Sequence, residues 1–279
     1  MARIDSITIG KGRGSLGNVT LRNVKGETIA SQKIAKGSQL VGTRSQVLQR
    51  VRWANLVLAF QGLNALGDGK GMAQSFPQRP KNQSNFNAFL KANLADPAVG
   101  SVVLTKSESD SRLLVPAPFV VTNGSLTAPT ALMATFTNGT FVMGGSRNFQ
   151  NMGELSAALI AEFGFENGDI VTFIGMNWTA NGATKFTSLQ IVVNSSSTSA
   201  LPSEITATGV ITVANASNSC AVIVRGRTGI DGYQVSPAQF PNTMVGSAPY
   251  SEHVGAAAET VAVDSYGYRQ DPYLQANPQ

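Results

Sequence analysis

The sequence predicts an α+β protein that is mainly β. A basic N-terminal hairpin arm and two helices come first, followed by a β-sandwich or barrel-like body with one inserted helix and by an extended C-terminal tail. Three observations predict this class. Short runs rich in β-branched residues, separated by Asn-Gly, Gly or Ser clusters, fill the chain after residue 99. Apolar residues recur at helical spacing mainly before residue 98, and prolines recur after residue 234.

Residues 1–66 are predicted to form the basic hairpin arm and the first helix. The arm contains three predicted strands, at 3–9, 18–24 and 27–34. A glycine-dense turn separates the first two strands, and Lys25-Gly26 fits a tight turn between the last two. Because this hairpin offers little apolar surface, it would be barely stable alone. We therefore expect it to lie on a neighbouring subunit.

The first helix is predicted from a capping box followed by apolar residues at helical spacing. In Thr43-Arg44-Ser45-Gln46, the Thr43 hydroxyl can accept from the Gln46 amide while the Gln46 side chain reaches back. The apolar positions that follow are Val47, Leu48, Val51, Ala54 and Leu58. Gly67 fits the end of this helix. We expect Trp53 and Phe60 to anchor the helix to the body.

The remaining chain divides into three predicted segments. Residues 67–98 are a loop and a second helix capped by Ser84. Residues 99–233 form the β-rich body, interrupted by a helix over 154–164 that ends at a glycine. Residues 234–279 are an extended tail with one strand at 260–263, and we expect a partner to order it. The predicted strands of the body are 101–105, 112–121, 130–137, 140–144, 169–176, 186–193, 205–213 and 220–226.

Composition restricts the class of protein. Only 13% of the residues are charged, about half the usual share, and such a neutral surface is typical of a protein that other subunits cover. Cys220 is the single cysteine, which excludes an intrachain disulfide and a cysteine-based zinc site. No apolar run approaches the length of a membrane span, and residues 1–5 have no signal-like core. We therefore expect a protein made in the cytoplasm with no membrane partner.

The positive charge is concentrated at the start of the chain. Up to Lys91 there are 14 Lys and Arg against 3 Asp and Glu, and after it 7 against 13. A basic segment of this kind can bind phosphates or an acidic protein surface, including the body of another copy. Trp53 is the only aromatic residue before Phe60, so stacking of bases is poorly supported. Protein docking is therefore favoured, with nucleic-acid binding as the alternative. The candidate partner-binding residues are Lys11, Arg13, Arg22, Lys25, Lys33, Lys36, Arg44, Arg50 and Arg52.

Gly12-Arg13-Gly14-Ser15-Leu16-Gly17 matches the dinucleotide-binding fingerprint in its letters. That fingerprint requires a helix after the last glycine and an acidic residue about 20 positions later. Here the chain continues as a predicted strand, and no carboxylate lies near position 35. We interpret the stretch as a structural glycine turn. No cofactor is predicted.

Other candidates for chemistry are also interpreted as structural. His253 is the only histidine, and no spacing identifies a nucleophile for it, so we expect a surface or interface residue. The acidic residues Glu154, Glu162, Glu166 and Asp169 are close in sequence, as in a glycosidase pair, but their helix and turn context favours solvated charge. No catalytic or metal-binding residue is predicted. A carbohydrate-binding module would need exposed aromatic residues on the body, for which the candidates are Trp178 and Tyr233.

Gly14-Ser15-Leu16-Gly17-Asn18-Val19, a hairpin ending near Lys33 and Gln46-x-x-Gln49-Arg50-x-x-Trp53 together resemble the opening of an uncharacterised protein family of Bacteroidota and their phages. The shared features are a Gly-x-x-Gly-x-Val turn, a basic hairpin and a helix with Gln-x-x-Gln-Arg before an aromatic residue. The resemblance covers about the first 65 residues. It implies no activity, but it implies a phage or phage-like particle of a Bacteroidota host, crAss-like phages included.

These observations together predict a non-enzymatic structural protein of a bacteriophage virion, as a capsid, neck or tail component. The arm and the tail would lie across adjacent subunits, so the expected partners are copies of the chain itself and other virion proteins. The expected location is the virion. The alternative is a nucleic-acid-binding or genome-packaging-associated protein that uses the same basic segment.

Overall fold

The computed structural model of this 279-residue chain separates into two compact units. Unit 1 comprises Met1–Gln46 and Gly267–Gln279, and unit 2 comprises Val47–Tyr266. The residues that the structure describes are 2–4, 14–16, 19–24, 27–32, 42–66, 75–145, 147–178, 184–215, 218–230, 232–241 and 247–267.

Unit 1 contains a four-stranded antiparallel sheet. Its strands are β1 (Ala2–Ile4), β2 (Gly14–Leu16), β3 (Val19–Val24) and β4 (Glu27–Gln32). They lie in the order β1-β4-β3-β2. Val24 pairs with Glu27, so the predicted hairpin with a two-residue connection is confirmed. The pairing of Leu16 with Val19 adds a strand inside the stretch predicted as a glycine turn.

Eight helices occur in the described part of the chain. They are α1 (Arg44–Asn64), α2 (Asn85–Leu94), α3 (Pro97–Gly100), α4 (Lys106–Asp110), α5 (Thr130–Met133), α6 (Met152–Phe163), α7 (Ala248–Ser251) and α8 (Ala256–Tyr266).

The caps of the longer helices explain where these helices begin and end. The predicted capping box of α1 is confirmed, because Thr43 N donates to Gln46 Oε1 at 3.2 Å and Gln46 N donates to Thr43 Oγ1 at 3.4 Å. Ser84 caps α2 through the Asn87 amide. Gly164 ends α6 with a φ of 69°, a left-handed conformation that glycine adopts without a Cβ penalty.

Unit 2 contains three antiparallel sheets. Their strands are β5 (Val120–Thr122), β6 (Phe136–Thr137), β7 (Thr140–Val142), β8 (Ile170–Asn177), β9 (Lys185–Val192), β10 (Val210–Thr212), β11 (Ser219–Gly229), β12 (Gly232–Val235) and β13 (Ala238–Gln239). The central sheet has the order β12-β11-β8-β9, and the smaller sheets are β10-β7-β6 and β13-β5. The α+β class is thus confirmed, while no sheet among the described strands closes into a barrel.

The central sheet is covered on both faces. Along β11, Cys220 and Val222 pack into one hydrophobic core, while Ala221 and Ile223 pack into the other. The first core also contains Leu56, Leu63, Phe89, Phe119 and Met176, and the second contains Phe141, Leu155, Leu159, Val171 and Phe173. This explains why residues 220–224 of β11 form an unbroken apolar run that does not alternate with polar residues.

Several predicted strands of the body are wrong or shorter than predicted. Residues 101–105 contain no strand, 112–121 reaches a strand only at Val120, and 130–137 is helix α5 followed by the two-residue β6. Of 205–213, only Val210–Thr212 is a named strand. These segments are rich in β-branched and apolar residues because they are buried, not because they pair in sheets.

Two buried asparagines satisfy backbone groups of the segment 113–121 that no neighbouring strand satisfies, including those of Val120 at the start of β5. Asn55 on α1 donates to Val115 O at 3.2 Å and accepts from Val115 N at 2.9 Å. Asn93 on α2 donates to Val120 O at 3.0 Å and accepts from Val120 N at 2.7 Å. Each amide side chain therefore substitutes for the donor and acceptor of a neighbouring strand.

The C-terminal segment also differs from the prediction. Residues 256–266 form a helix in place of the strand predicted at 260–263, and Ala262 and Val263 on that helix are buried. The segment contacts its own chain: Val103 N donates to His253 O at 2.9 Å, and Lys106 N donates to Ser265 Oγ at 2.9 Å. An extended tail that needs a partner is therefore wrong for 247–266. Residues 268–279 of the predicted tail lie outside the described residues.

Candidate functional site

The basic residues predicted to bind a partner divide between the two units. Unit 1 has nine Lys and Arg against three Asp and Glu, and unit 2 has twelve against thirteen. Arg22 lies in β3, but its side chain is not described. Five predicted contacts lie outside the described residues: Lys11, Arg13, Lys25, Lys33 and Lys36. The positive charge therefore belongs mainly to unit 1.

The three arginines at the start of α1 differ in their surroundings. Arg52 makes an ion pair with Glu259 of α8, inside the chain, so its prediction as a partner contact is corrected. Arg44 and Arg50 are exposed. No carboxylate among the described residues pairs with Arg50.

The two aromatic residues of α1 also differ. Phe60 contacts Phe86 and Phe89 of α2, with ring centroids 5.0 and 5.4 Å apart. These rings belong to the second helix and not to the predicted body, but Phe60 also packs against the first core, which includes body residues such as Phe119. Trp53 is 44% exposed and does not anchor α1. The prediction is wrong for Trp53 because the neighbours Val51, Asn55 and Leu56 take the buried positions of this turn.

Gln49, Arg50 and Trp53 form one exposed surface of α1, here called the Trp53 face. Arg50 and Gln49 precede Trp53 by three and four positions, a spacing that places side chains on the same side of a helix. All three residues are exposed. Tryptophan and arginine are the residue types most enriched in the energetic centres of protein interfaces. An exposed pair of this kind is a candidate docking surface.

The predicted surface histidine instead lines a cavity. This cavity has a volume of about 340 Å³ and lies between α4, α8 and the segment that joins α7 to α8. His253 Nε2 lies 2.9 Å from Glu108 Oε1, and His253 Nδ1 lies 2.6 Å from Pro249 O. The remaining lining residues are Val103, Thr105, Glu252, Ala257, Ala258, Val261 and Ala262.

The geometry of His253 determines what this histidine can do. Both ring nitrogens lie at hydrogen-bonding distance from oxygens of the chain itself, which belong to Glu108 on α4 and Pro249 on α7. With both nitrogens engaged in this way, neither is placed to act on a substrate as a general base. His253 is therefore arranged to hold the C-terminal segment against α4.

Glu108 is held as a carboxylate at this contact. Burial raises its pKa, but hydrogen bonds from His253 and from the amide and hydroxyl of Thr105 outweigh burial and leave the pKa below its usual value. Thr105 and Glu108 also form the capping box of α4. The Thr-x-x-Glu spacing could have predicted this cap. Nothing in the sequence indicates a histidine 145 positions away as its partner.

Asp169 is not the solvated charge that its sequence context predicted. Its side chain is 0% exposed and lies between two arginines of β11. Arg225 Nε donates to Oδ2 at 2.8 Å and Arg227 Nε donates to Oδ1 at 2.6 Å, while the Glu166 amide donates to Oδ2 at 2.8 Å. Burial raises the pKa of Asp169, but these hydrogen bonds and positive charges outweigh it and lower the pKa. Both carboxylate oxygens are occupied, so Asp169 supports the turn before β8.

The remaining candidates also have structural surroundings. Gly14–Leu16 is a strand paired with β3, so the helix that a dinucleotide fingerprint requires does not follow it. Cys220 is buried, and burial raises the pKa of its thiol. Trp178 and Tyr233 are partly buried against the first core, which leaves no exposed aromatic platform at either residue.

Within the described ranges, no cluster of three or more His, Cys, Asp or Glu side chains could hold a metal ion. No helix in the part of the chain that is described has the length and apolar character needed to cross a membrane. Comparison of the chain with protein-family models, with curated proteins and with solved structures gives no match.

Proposed function

We propose that this chain is a non-enzymatic structural protein of a bacteriophage virion that assembles in many copies. One observation carries the proposal: the Trp53 face exposes a tryptophan and an arginine with no carboxylate partner among the described residues. Tryptophan and arginine side chains that lie next to each other are typical of the energetic centres of protein interfaces. The low proportion of charged residues supports the same function, because subunit surfaces inside an assembly are covered.

The proposed partner is an acidic surface of another copy or of another virion protein. Arg50 would pair with a carboxylate and Trp53 would be buried beside it, as in interface centres where an aromatic anchor and an arginine act together. Unit 1 carries nine Lys and Arg against three Asp and Glu, a charge that would itself attract an acidic partner.

The test compares substitutions in the Trp53 face with matched substitutions elsewhere. Trp53→Ala and Arg50→Glu are expected to weaken association of the full chain by about tenfold or more, as measured by analytical ultracentrifugation. Leu94→Ala and Lys91→Glu change similar exposed residues on α2 and should have little effect. Electron microscopy of the associated material should show rings, tubes or shells. Equal effects of all four substitutions, or a chain that stays monomeric, would contradict the proposal.

A second candidate, nucleic-acid binding, is favoured by the nine basic against three acidic residues of unit 1. It predicts a gel shift with DNA whose affinity falls by orders of magnitude between about 50 and 200 mM salt. Trp53→Ala should leave that binding unchanged, because phosphate contacts depend on charge and not on the indole ring. Absence of a shift at low salt would remove this candidate.

A further inference from the structure

Strand β9 forms a long edge of the central sheet that no other described strand covers. It contains eight residues, Lys185–Val192, and pairs with β8 on one side over its whole length. The opposite edge, β12, has only four residues, and Val235 O there accepts from Leu126 N. No described strand therefore pairs with the outer edge of β9, and its backbone groups can pair with a strand of another molecule.

Folded proteins usually protect such an edge, and β9 lacks the usual protection. The strand has no proline, its pairing with β8 has no shift in register, and its single charge is Lys185 at the first position. Val192 at the other end is 57% exposed. Proline, bulges and charges placed along an edge are the features that prevent strand pairing between molecules.

The hydrogen-bond pattern identifies which residues of β9 direct their backbone N–H and C=O groups away from β8. Trp178 N donates to Asn218 O, which places the even-numbered residues of β8 in hydrogen-bonded pairs with β11 and the odd-numbered ones in pairs with β9. The hydrogen bond from Val193 N to Asp169 O likewise places the odd-numbered residues of the two strands in hydrogen-bonded pairs with each other. The free N–H and C=O groups of β9 therefore belong to Phe186, Ser188, Gln190 and Val192.

We propose that β9 pairs with β9 of a second copy in antiparallel orientation, across a two-fold axis at Leu189. In this register Ser188 lies opposite Gln190 and Phe186 lies opposite Val192, so all four outward residues of each copy are hydrogen-bonded. Each Lys185 lies at an opposite end of the paired strands, so the two positive charges are far apart. The product is a continuous eight-stranded sheet, formed from two central sheets of four strands.

This inference rests on the proposed function only in taking another copy of the chain as the partner. The contact itself is separate from the Trp53 face and is formed by backbone groups. Substitutions in the Trp53 face should leave β9 pairing intact. The two proposals can therefore fail independently.

The first experiment introduces proline at an outward position of β9 in the full chain. Ser188→Pro and Gln190→Pro remove an N–H that faces away from β8, so the β8 ladder keeps its bonds. Light scattering is expected to show the loss of dimer, with an unchanged far-UV circular dichroism spectrum. Ser188→Thr keeps the N–H and should remain dimeric. Dimers that persist in both folded proline variants would overturn the pairing.

The second experiment does not depend on tolerance of proline. In the proposed register the two Leu189 residues face each other in a non-hydrogen-bonded pair with Cα atoms about 4.5 Å apart, within reach of a disulfide. L189C should oxidise to a covalent dimer that a reductant reverses. S188C is the control. In the proposed register the Cα atoms of the two residues at position 188 lie diagonally, about 7 Å or more apart, which is too far for a disulfide. Equal cross-linking of both variants, or none in L189C, would overturn the pairing or its register.

Discussion

At the level of single residues, Asp169 has the most restrictive surroundings in the described chain. Its carboxylate is fully buried and compensates Arg225, whose side chain is only 9% exposed. Removing one member of a buried ion pair leaves an uncompensated charge, which costs more than the pair contributes as a whole. Glu166, the other carboxylate near Arg225, is 3.6 Å away and 64% exposed, whereas Asp169 is 2.7 Å away, so Asp169 is the main compensation for the charge of Arg225.

Asp169→Asn is therefore expected to lower the free energy of unfolding by about 3 kcal/mol. Urea denaturation followed by circular dichroism measures this change. Glu166→Gln is the matched control, because Glu166 contacts the same two arginines but is 64% exposed, and exposed pairs contribute about 1 kcal/mol or less. Similar losses in both variants would show that burial does not determine the effect.

Glu108 predicts a dependence of stability on pH in acid. Since the pKa of Glu108 is lower in the folded chain, ionised Glu108 stabilises the fold above its ordinary pKa of 4.5, and this contribution is lost as the pH falls through the folded-state pKa. The melting temperature of the wild-type chain should exceed that of Glu108→Gln at about pH 5, and the difference should shrink towards about pH 3. A difference in melting temperature that stays the same between about pH 5 and about pH 3 would contradict this prediction.

At the level of elements, the buried segment around 113–121 depends on side chains of two helices. Asn55 and Asn93 provide the donors and acceptors that a neighbouring strand would provide. An asparagine side chain on a helix offers a donor and an acceptor, as a backbone amide does. The helix can therefore cover a buried segment without leaving the polar groups of that segment unsatisfied.

Asn55→Ala should lower the free energy of unfolding by about 2–4 kcal/mol, because the amide and carbonyl of Val115 lose their partners in a buried site. Thermal and urea unfolding measure the change. Asn64→Ala changes the same residue type at the exposed end of α1 and should stay within about 0.5 kcal/mol of the wild-type chain. A small loss in Asn55→Ala would mean that water replaces the amide.

Local sequence patterns predicted the elements that local interactions determine. The caps at Thr43 and Ser84, the end of α6 at Gly164 and the strands β8, β9 and β11 follow from neighbouring residues and agree with the structure. The segment 112–121 was predicted as a strand because its apolar content resembles one, whereas Asn55, about 60 positions away, determines its state.

The same distinction applies to the candidate sites. Exposure of Arg50 follows from the amphipathic pattern of α1. The pairing of Arg52 with Glu259 spans 207 positions, and that of Glu108 with His253 spans 145, so no local pattern contains them. Trp53 was expected inside on the basis of residue type alone, although the register of the helix turns it outward.

At the level of the whole molecule, the two units differ in charge and in core. Unit 2 contains both hydrophobic cores and nearly balances its charges, while unit 1 is strongly basic for its size. A basic unit with a small sheet and a neutral body with a large core are suited to different tasks. Docking on a partner is proposed for the Trp53 face and for β9, which both lie in unit 2, while the excess of positive charge lies in unit 1.

The sheet with two covered faces has a further consequence for how unit 2 folds. Because neighbouring residues of β11 belong to different cores, a slip of one residue would exchange the side chains of Ala221 and Val222 between environments of different size. Strands β8 and β11 contribute side chains to both cores. Because the two cores share these strands, we expect them to unfold together. Folding of unit 2 is therefore expected to be all-or-none, with one cooperative transition for two cores.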